Sequence, residues 1–342
     1  MIKRNENGPI DIIIPWVDGS DPEWQKEKTA CLKGMGVDTK ANSEIRYLNW
    51  NNLQYWFRAV EKFMPWVHRI FFVTWGHVPE FLNITHPKLE IVRHRDYIPA
   101  EYLPTFNSNT IEMNYHRIKG LAENFVLFND DTFPLQPIKE TYYFRNNQVC
   151  DQAVESPIMP VDIGDITRWS CQVKTNNILF INRHFKKREV QRHNFIKWFS
   201  PKYGERIRRN IGLHYWYNFA GFHDPHMPNA MKKSTLARLW ETEPETLDTA
   251  SRNQFRSESD LSQYLIRYWQ LCSGEFIPRK TLGKPYFVTI DNCKKAAREI
   301  AKQQWQTVSL IEGCTAEEFE IIRKMINRAL ARILPYKSSF EI

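Results

Sequence analysis

No stretch of the 342-residue sequence approaches the roughly 18 consecutive apolar residues that a membrane-spanning helix needs. The first ten residues, MIKRNENGPI, hold no apolar core, so no secretory signal is expected. Glycine-based phosphate motifs are missing as well. There is no Walker loop and no GxGxxG, nor the GxSxG elbow of serine hydrolases, and the reaction classes built on these motifs lose support. The six cysteines (Cys31, Cys150, Cys171, Cys272, Cys293 and Cys314) form no CxxC pair, so a disulfide framework is not expected and reduced thiols in a cytoplasm are the simpler reading. Repeats, low-complexity linkers and nucleic-acid-binding signatures are also absent, so DNA and RNA are not expected partners.

Aromatic residues, by contrast, are abundant at 14%, enough for a large core with ring faces left over for bases or sugars. Lys and Arg number 47 against 39 Asp and Glu, and the formal charge of +8 suits an anionic partner: a nucleotide, an acidic glycan or a phospholipid surface. Apolar content of 42% and charged content of 25% are those of an ordinary globular chain, and the length suits two domains or one large α/β domain.

Short β-rich runs recur at Asp11–Ile14, Arg69–Thr74, Leu89–Val92, Phe125–Phe128, Ile178–Ile181 and Tyr286–Ile290. They are nearly continuously apolar, as strands buried on both faces of a parallel sheet are. Between them lie helical patterns. Leu53, Trp56, Phe57, Val60 and Met64 form a stripe within 43–64, and 108–121 is a second candidate. The segments 195–209, 229–240 and 259–271 suggest a mainly helical region. Thr315-Ala316-Glu317-Glu318 reads as a capping box opening an amphipathic C-terminal helix that Pro335 stops; its basic residues Arg323, Lys324, Arg328 and Arg332 either face solvent or touch an anionic membrane.

Acidic residues follow the strands: Asp18 and Asp21 after the first, Asp130 and Asp131 after Phe125–Phe128, Asp291 after Tyr286–Ile290. In open α/β sheets ligands bind at that edge. Asn129-Asp130-Asp131 suits either a hard divalent cation on a diphosphate or a solvated turn. In Trp16-Val17-Asp18-Gly19-Ser20-Asp21, Trp16 can stack, Gly19 permits a tight turn, and the aspartates either bind a base or ribose or cap the next helix. Asn107 or Ser108 can cap a helix whose start also attracts phosphate, with Ser108, Glu112 and His116 on one face and Arg117 beside them. His226 lies between prolines in HDPHMP and is a candidate base or phosphate donor. Arg256 in FRSESD either clamps phosphate or pairs with Glu258 or Asp260.

The blocks IDIIIPWVDGSDPEW, IRYLNWNNLQ, PWVHRIFFVTWG, LPTFNSNTIEMNYHRIKGLAENFVLFNDD, HMPNAMKK, FRSESD and FVTIDN, in that order over about residues 10–340, resemble the Stealth family of bacterial capsule and cell-wall polysaccharide phosphotransferases, relatives of the animal enzyme that adds N-acetylglucosamine-1-phosphate to lysosomal glycans. The resemblance implies a GT-A-like, doubly wound α/β fold that binds a nucleotide sugar. Its mainly parallel sheet would span about 10–182 and 275–342 of one catalytic domain, with a helical insert at about 183–274. It implies a UDP-sugar donor, a polysaccharide or lipid-linked glycan acceptor, and Mg2+ or Mn2+ on Asp130, Asp131 and Asp291, although Ile290 stands where the family usually has Asn. His226, Arg256, Asp131 and His116 are the expected catalytic residues. Trp16, Asp18, Gly19, Asp21, Asn107, Ser108, Glu112 and Arg117 are expected to bind substrate. The expected reaction is attack of an acceptor hydroxyl on the β-phosphorus with loss of UMP, in the cytoplasm or at the inner face of the plasma membrane. The alternatives are a glycosyltransferase that releases UDP and a non-catalytic glycan- or nucleotide-binding module.

Overall fold

The computed structural model of the chain describes residues 7–35, 49–160 and 164–342. In chain order the elements are β1 (Ile10–Trp16), α1 (Pro22–Met35), α2 (Leu53–Phe63), β2 (Ile70–Thr74), β3 (Leu89–Arg93), α3 (Ser108–Met113), β4 (Asn124–Leu127), β5 (Thr132–Pro134), β6 (Phe144–Arg145) and β7 (Gln148–Asp151). Then follow α4 (Asp165–His184), α5 (Lys187–His193), α6 (Phe195–Trp198), α7 (Ile207–Leu213), β8 (Asn229–Lys232), α8 (Lys233–Thr242), α9 (Pro244–Ser251) and α10 (Tyr264–Cys272). The chain ends with β9 (Phe276–Pro278), β10 (Gly283–Val288), α11 (Cys293–Ala301), β11 (Thr307–Glu312) and α12 (Ala316–Ile333).

The main sheet has the order β3-β2-β1-β4-β8; the first four strands are parallel and β8 runs antiparallel on the edge beside β4. Ile12, Ile13 and Ile14 of β1 are all fully buried, as are neighbouring Phe72 and Val73 of β2 and Phe125 and Val126 of β4. Consecutive residues point to opposite faces, so both faces are covered, which is why these strands read as unbroken apolar runs. The chain is α/β with a mainly parallel, GT-A-like sheet, as the resemblance implied. β1 lies between strands reached by connections running in opposite directions, so the crevice between the C-terminal ends of β1 and β4 is the topological switch point.

Two smaller sheets flank it, β10-β11-β5 and β6-β7-β9. The chain leaves the main sheet at Leu127 and enters the second sheet at Thr132. The acidic pair Asp130-Asp131 therefore stands in the short passage between two sheets. Most buried apolar residues from Ile10 to Phe340 pack into one large cluster, and Trp24, Phe106 and Phe255 form a small second one.

Several expectations change. Ile178–Ile181 is no strand: it belongs to the 20-residue helix α4. A four-residue apolar run is equally compatible with a buried helical turn, and here its context is helical. The helical stretch begins at Asp165, not 183, and returns one strand, β8, to the main sheet, so Asn229 opens a strand before α8 begins at Lys233. The helix sought over 108–121 is six residues long and ends before a 3-10 turn at Tyr115–Arg117. The one sought over 43–64 starts at Leu53; residues 43–48 lie outside the described residues. The capping box at Thr315 forms as read, its hydroxyl accepting from the Glu318 N–H while the Glu318 carboxylate accepts from the Thr315 N–H. Phe319, Ile322, Ile326, Leu330 and Ile333 of α12 are buried in the core, so this helix turns a basic face outward but no apolar stripe.

Candidate active site

The C-terminal edge of β4 gathers the titratable groups. Asp131 Oδ2 is 2.8 Å from His226 Nε2. The pairing of β4 with β8 sets this up: Leu127 lies opposite Asn229, and the antiparallel register continued three residues brings His226 level with Asp130. His226 adopts φ of +48°, a left-handed conformation uncommon for a side chain of this size, which turns its ring inward from the loop before β8. The loop starts at Gly221, φ +145°, where an added Cβ would come within 2.3 Å of the Ser156 carbonyl oxygen, so only glycine fits there.

Around this pair stand three further carboxyl groups. Glu312, the last residue of β11, accepts a 2.6 Å hydrogen bond from Trp50 Nε1. Asp131 is tied to the same strand, its carbonyl accepting from the Leu310 N–H (2.9 Å). Asp130 keeps an exposed surface at the rim, yet the protein enclosing its carboxyl, with Asp131 and Glu312 nearby, pushes its pKa up to about 7. Solvent at that rim screens part of the repulsion. Glu112 of α3 is buried, which pushes its carboxyl up to about 8 against the opposing pull of the Gln263 N–H and His226. Glu312 is also raised, first by burial, with Asp131 adding to it and Trp50 opposing. Burial disfavours charge on His226, but Asp131, by charge and hydrogen bond, then Glu312 and Glu112, outweigh it and its pKa is raised. The site is thus one imidazole among four carboxyl groups, at least one of them, Glu112, neutral at pH 7.

The other anticipated residues divide. Trp16 lies at the same crevice, its ring edge-on to His77 at 5.2 Å. The Asp18 N–H donates to His77 Nε2 (2.7 Å), and the Asp18 carboxylate accepts from both the N–H and the hydroxyl of Ser20. Asp21 accepts from the Trp24 N–H and caps α1. The capping reading of these aspartates is therefore realised, with Gly19 buried between them and its carbonyl accepting from Gln25. Asn107 is fully buried: its oxygen caps α3 and its amide donates to Asp260, so it positions rather than faces a ligand. Ser108 is half-buried in the first turn of α3.

His116 and Arg117 point elsewhere. His116 lies beside Trp240, and burial, helped by Arg117 and Lys233, lowers its pKa to about 4. Lys233 follows the β8 end that pairs with Asn124, the opposite end of β4 from Asp131. Arg117 stacks on Trp240 at 4.8 Å and bonds Asn114. The helical spacing that would have aligned His116 with Ser108 and Glu112 is lost because α3 stops at Met113. Asp291 is exposed in the turn after β10 and makes no side-chain hydrogen bond or ion pair among the described residues, while Glu312 stands by Asp131.

Arg256 is half-buried and stacks on Trp169 at 4.3 Å. It forms no ion pair with Glu258 or Asp260. Asp260 is instead the knot of this wall. It accepts from Asn107, Asn109 and Asn253 at 2.9–3.0 Å and from the Ser257 N–H at 3.1 Å. The loop carrying Arg256 is thereby fastened to α3, the helix carrying Glu112. Glu312 and His77 were not singled out from the sequence, and Asp260 was read there only as a partner for Arg256. For Glu312 there was a signal: an acidic residue closing the strand TVSLIE just before Gly313.

A cavity of about 480 Å3 opens at the same sheet edge beyond β2 and β3, lined among others by Glu27, Trp75, Arg93, His94, Arg95 and Thr105. Burial, with a contribution from His77, lowers the His94 pKa to about 3, so that ring is neutral. A second cavity of about 550 Å3 runs along α4 between Ile158, Cys171 and Leu179; it is the larger but holds none of the carboxyl groups.

The family model for Stealth conserved region 1 matches residues 8–36, which contain β1 and its acidic turn; that for conserved region 2 matches residues 46–152, which contain Glu112, Asp130 and Asp131. A capsular polysaccharide phosphotransferase of Streptococcus pneumoniae is 39% identical over 333 residues, covering 97% of this chain and 98% of the relative. The chain belongs to the Stealth family. An exopolysaccharide phosphotransferase of Lactiplantibacillus plantarum is 33% identical over 340 residues (98% of this chain, 97% of the relative), and a receptor polysaccharide phosphotransferase of Streptococcus oralis is 34% identical over 340 (97% and 99%). This Stealth protein is a transferase enzyme of the capsular and exopolysaccharide phosphotransferase type. No described helix is long and apolar enough to cross a membrane.

Among the described residues no group of three or more His, Cys, Asp or Glu stands ready to hold a metal ion. The donor set nonetheless suits a hard cation. Asp131 Oδ1, the oxygen His226 leaves free, is buried with no donor among the described residues, and Asp130 is adjacent. Mg2+ in particular is usually bound by one or two carboxylates and completes its shell with substrate phosphates and water.

Proposed function

We propose that this enzyme, acting in the cytoplasm as one catalytic unit, moves a sugar-1-phosphate from a UDP-sugar to a hydroxyl of a polysaccharide or lipid-linked glycan and releases UMP. The observation that carries the proposal is the Asp131–His226 pair at the switch-point crevice. Asp130 and Asp131 would hold the divalent cation, Mg2+ or Mn2+, which when bound neutralises diphosphate charge. Asp131 Oδ2 fixes the His226 ring by accepting from Nε2–H, which leaves Nδ1 to take the proton of the acceptor hydroxyl. The acceptor oxygen forms a bond to the β-phosphorus, the bond from that phosphorus to the bridging oxygen breaks, and UMP departs. The bond from sugar C1 to its oxygen is untouched, so the anomeric configuration is kept.

Glu112, uncharged at neutral pH, donates a hydrogen bond where a carboxylate would repel the phosphates. Arg256, with no carboxylate partner among the described residues, supplies a guanidinium to non-bridging oxygens as charge develops. The cavity beside Trp75, Arg93 and Arg95 has the size and the cationic, aromatic lining that a nucleoside needs.

The test is incubation with a panel of nucleotide sugars and Mg2+ or Mn2+, reading the released nucleotide. UMP is expected, and only with the cation. Release of UDP would assign glycosyl transfer instead, and absence of turnover with every donor would leave a binding module.

A further inference from the structure

Of the chain's +8 charge, +7 lies in residues 185–217, which hold nine Lys and Arg against two Glu. One of the nine, Lys187, is fully buried against Glu155 at 2.9 Å; most of the others are exposed. The same stretch presents large apolar side chains to solvent: Ile196 is 84% exposed, Tyr215 80%, Tyr217 75%, Phe195 59%, Ile211 55% and Trp216 53%. Six exposed side chains of that size in 33 residues exceed the scattered surface hydrophobics of an ordinary chain, and a run of ring contacts links the α6 end of the stretch to the Tyr215 turn. Phe195 packs on Phe199 (4.7 Å), Phe199 meets His214 edge-on (5.7 Å), and His214 adjoins Tyr215. Arg188 donates to the Tyr215 carbonyl at 3.2 Å and lies over the Tyr217 ring at 4.3 Å. Arg192 stands one helical turn from Arg188 on the same face of α5.

We infer that this face, formed by α5, α6, α7 and the Tyr215-Trp216-Tyr217 turn, docks the enzyme on the surface of an anionic phospholipid bilayer. Trp and Tyr with Lys and Arg at their edges are the side chains that settle at the headgroup boundary, rings into the acyl region and cations toward phosphate. A glycan would use the rings but has no use for the exposed aliphatic side chains Ile196 and Ile211, which distinguishes a bilayer from a polysaccharide as the occupant. The C-terminal helix, also basic, exposes a single large apolar side chain, Ile321, and packs the rest of its apolar side into the core. The turn is also close in sequence to the site: Tyr217 precedes His226 by nine residues. Nine residues of chain span at most about 30 Å, so docking here keeps the crevice within that reach of the membrane surface.

The test is co-sedimentation of the full chain with vesicles of phosphatidylcholine alone and of phosphatidylcholine with phosphatidylglycerol. Binding to the anionic vesicles is expected, falling with salt. The double variant Arg192→Gln/Arg208→Gln should reduce the partition by about tenfold or more, at roughly one kcal/mol per cation near the surface. Ile196→Ser/Trp216→Ala should reduce it on both vesicle types, and Arg328→Gln/Arg332→Gln on α12 should change nothing. None of these residues touches the site, so turnover of a water-soluble acceptor should match wild type and reports correct folding. The inference is overturned if the wild-type chain ignores anionic vesicles, if the α12 variant loses as much binding as the α5–α7 variants, or if the patch variants lose binding to soluble polysaccharide while keeping vesicle binding.

Discussion

Replacing Glu112 by Gln should make the enzyme's stability less dependent on pH. In the folded chain Glu112 holds its proton to about pH 8, because burial disfavours the carboxylate, whereas an unfolded glutamate releases it near 4.5. Between those values the folded state binds one more proton at this position than the unfolded state. Stability therefore falls as pH rises, by about 1.4 kcal/mol per pH unit and by roughly 5 kcal/mol at most across the window. The amide of Glu112→Gln has no proton to lose, so wild type should weaken relative to the variant from pH 5 to pH 8. His226 runs the other way in origin: its raised pKa contributes stability present in full below about 6.5 and lost as pH climbs through its folded value. That contribution is nearly common to both chains and drops out of the difference. The assay is urea unfolding of both proteins at intervals over pH 5–8 in metal-free buffer, plotting the difference in unfolding free energy. A difference that stays constant with pH would falsify the assignment of Glu112 as a buried neutral acid.

Two further outcomes follow from the same geometry. His226→Ala should lower kcat/KM about 10²–10⁴-fold, the usual contribution of a positioned base, with its melting temperature near that of wild type; a loss under tenfold removes His226 from the role. Asp260→Ala should cost several kcal/mol in urea unfolding, since each buried amide left without its acceptor costs about 1–3 kcal/mol, and should lower activity by releasing the Arg256 loop; a change under about 1 kcal/mol would contradict its place as the knot of that wall.

The sequence by itself determined the sheet and the carboxylates on its edge. Strands buried on both faces must be written in consecutive apolar residues, so β1, β2 and β4 were visible as composition, and the polar residues that end them were visible as punctuation. The capping box at Thr315 was equally plain, because its chemistry is complete within four residues. Only the tertiary structure decided which of those residues meet. His226 reaches Asp131 across 95 positions through the register of β8 on β4, a strand that local pattern had read as helix. Glu312 joins the cluster through β11, and His116 leaves it because α3 ends at Met113, about two turns before the helix expected from the sequence. Local propensity acts over a few residues and can be read along the chain. Register, burial and the shared field of several carboxyl groups arise from partners far apart in sequence, and they exist only once the chain has folded.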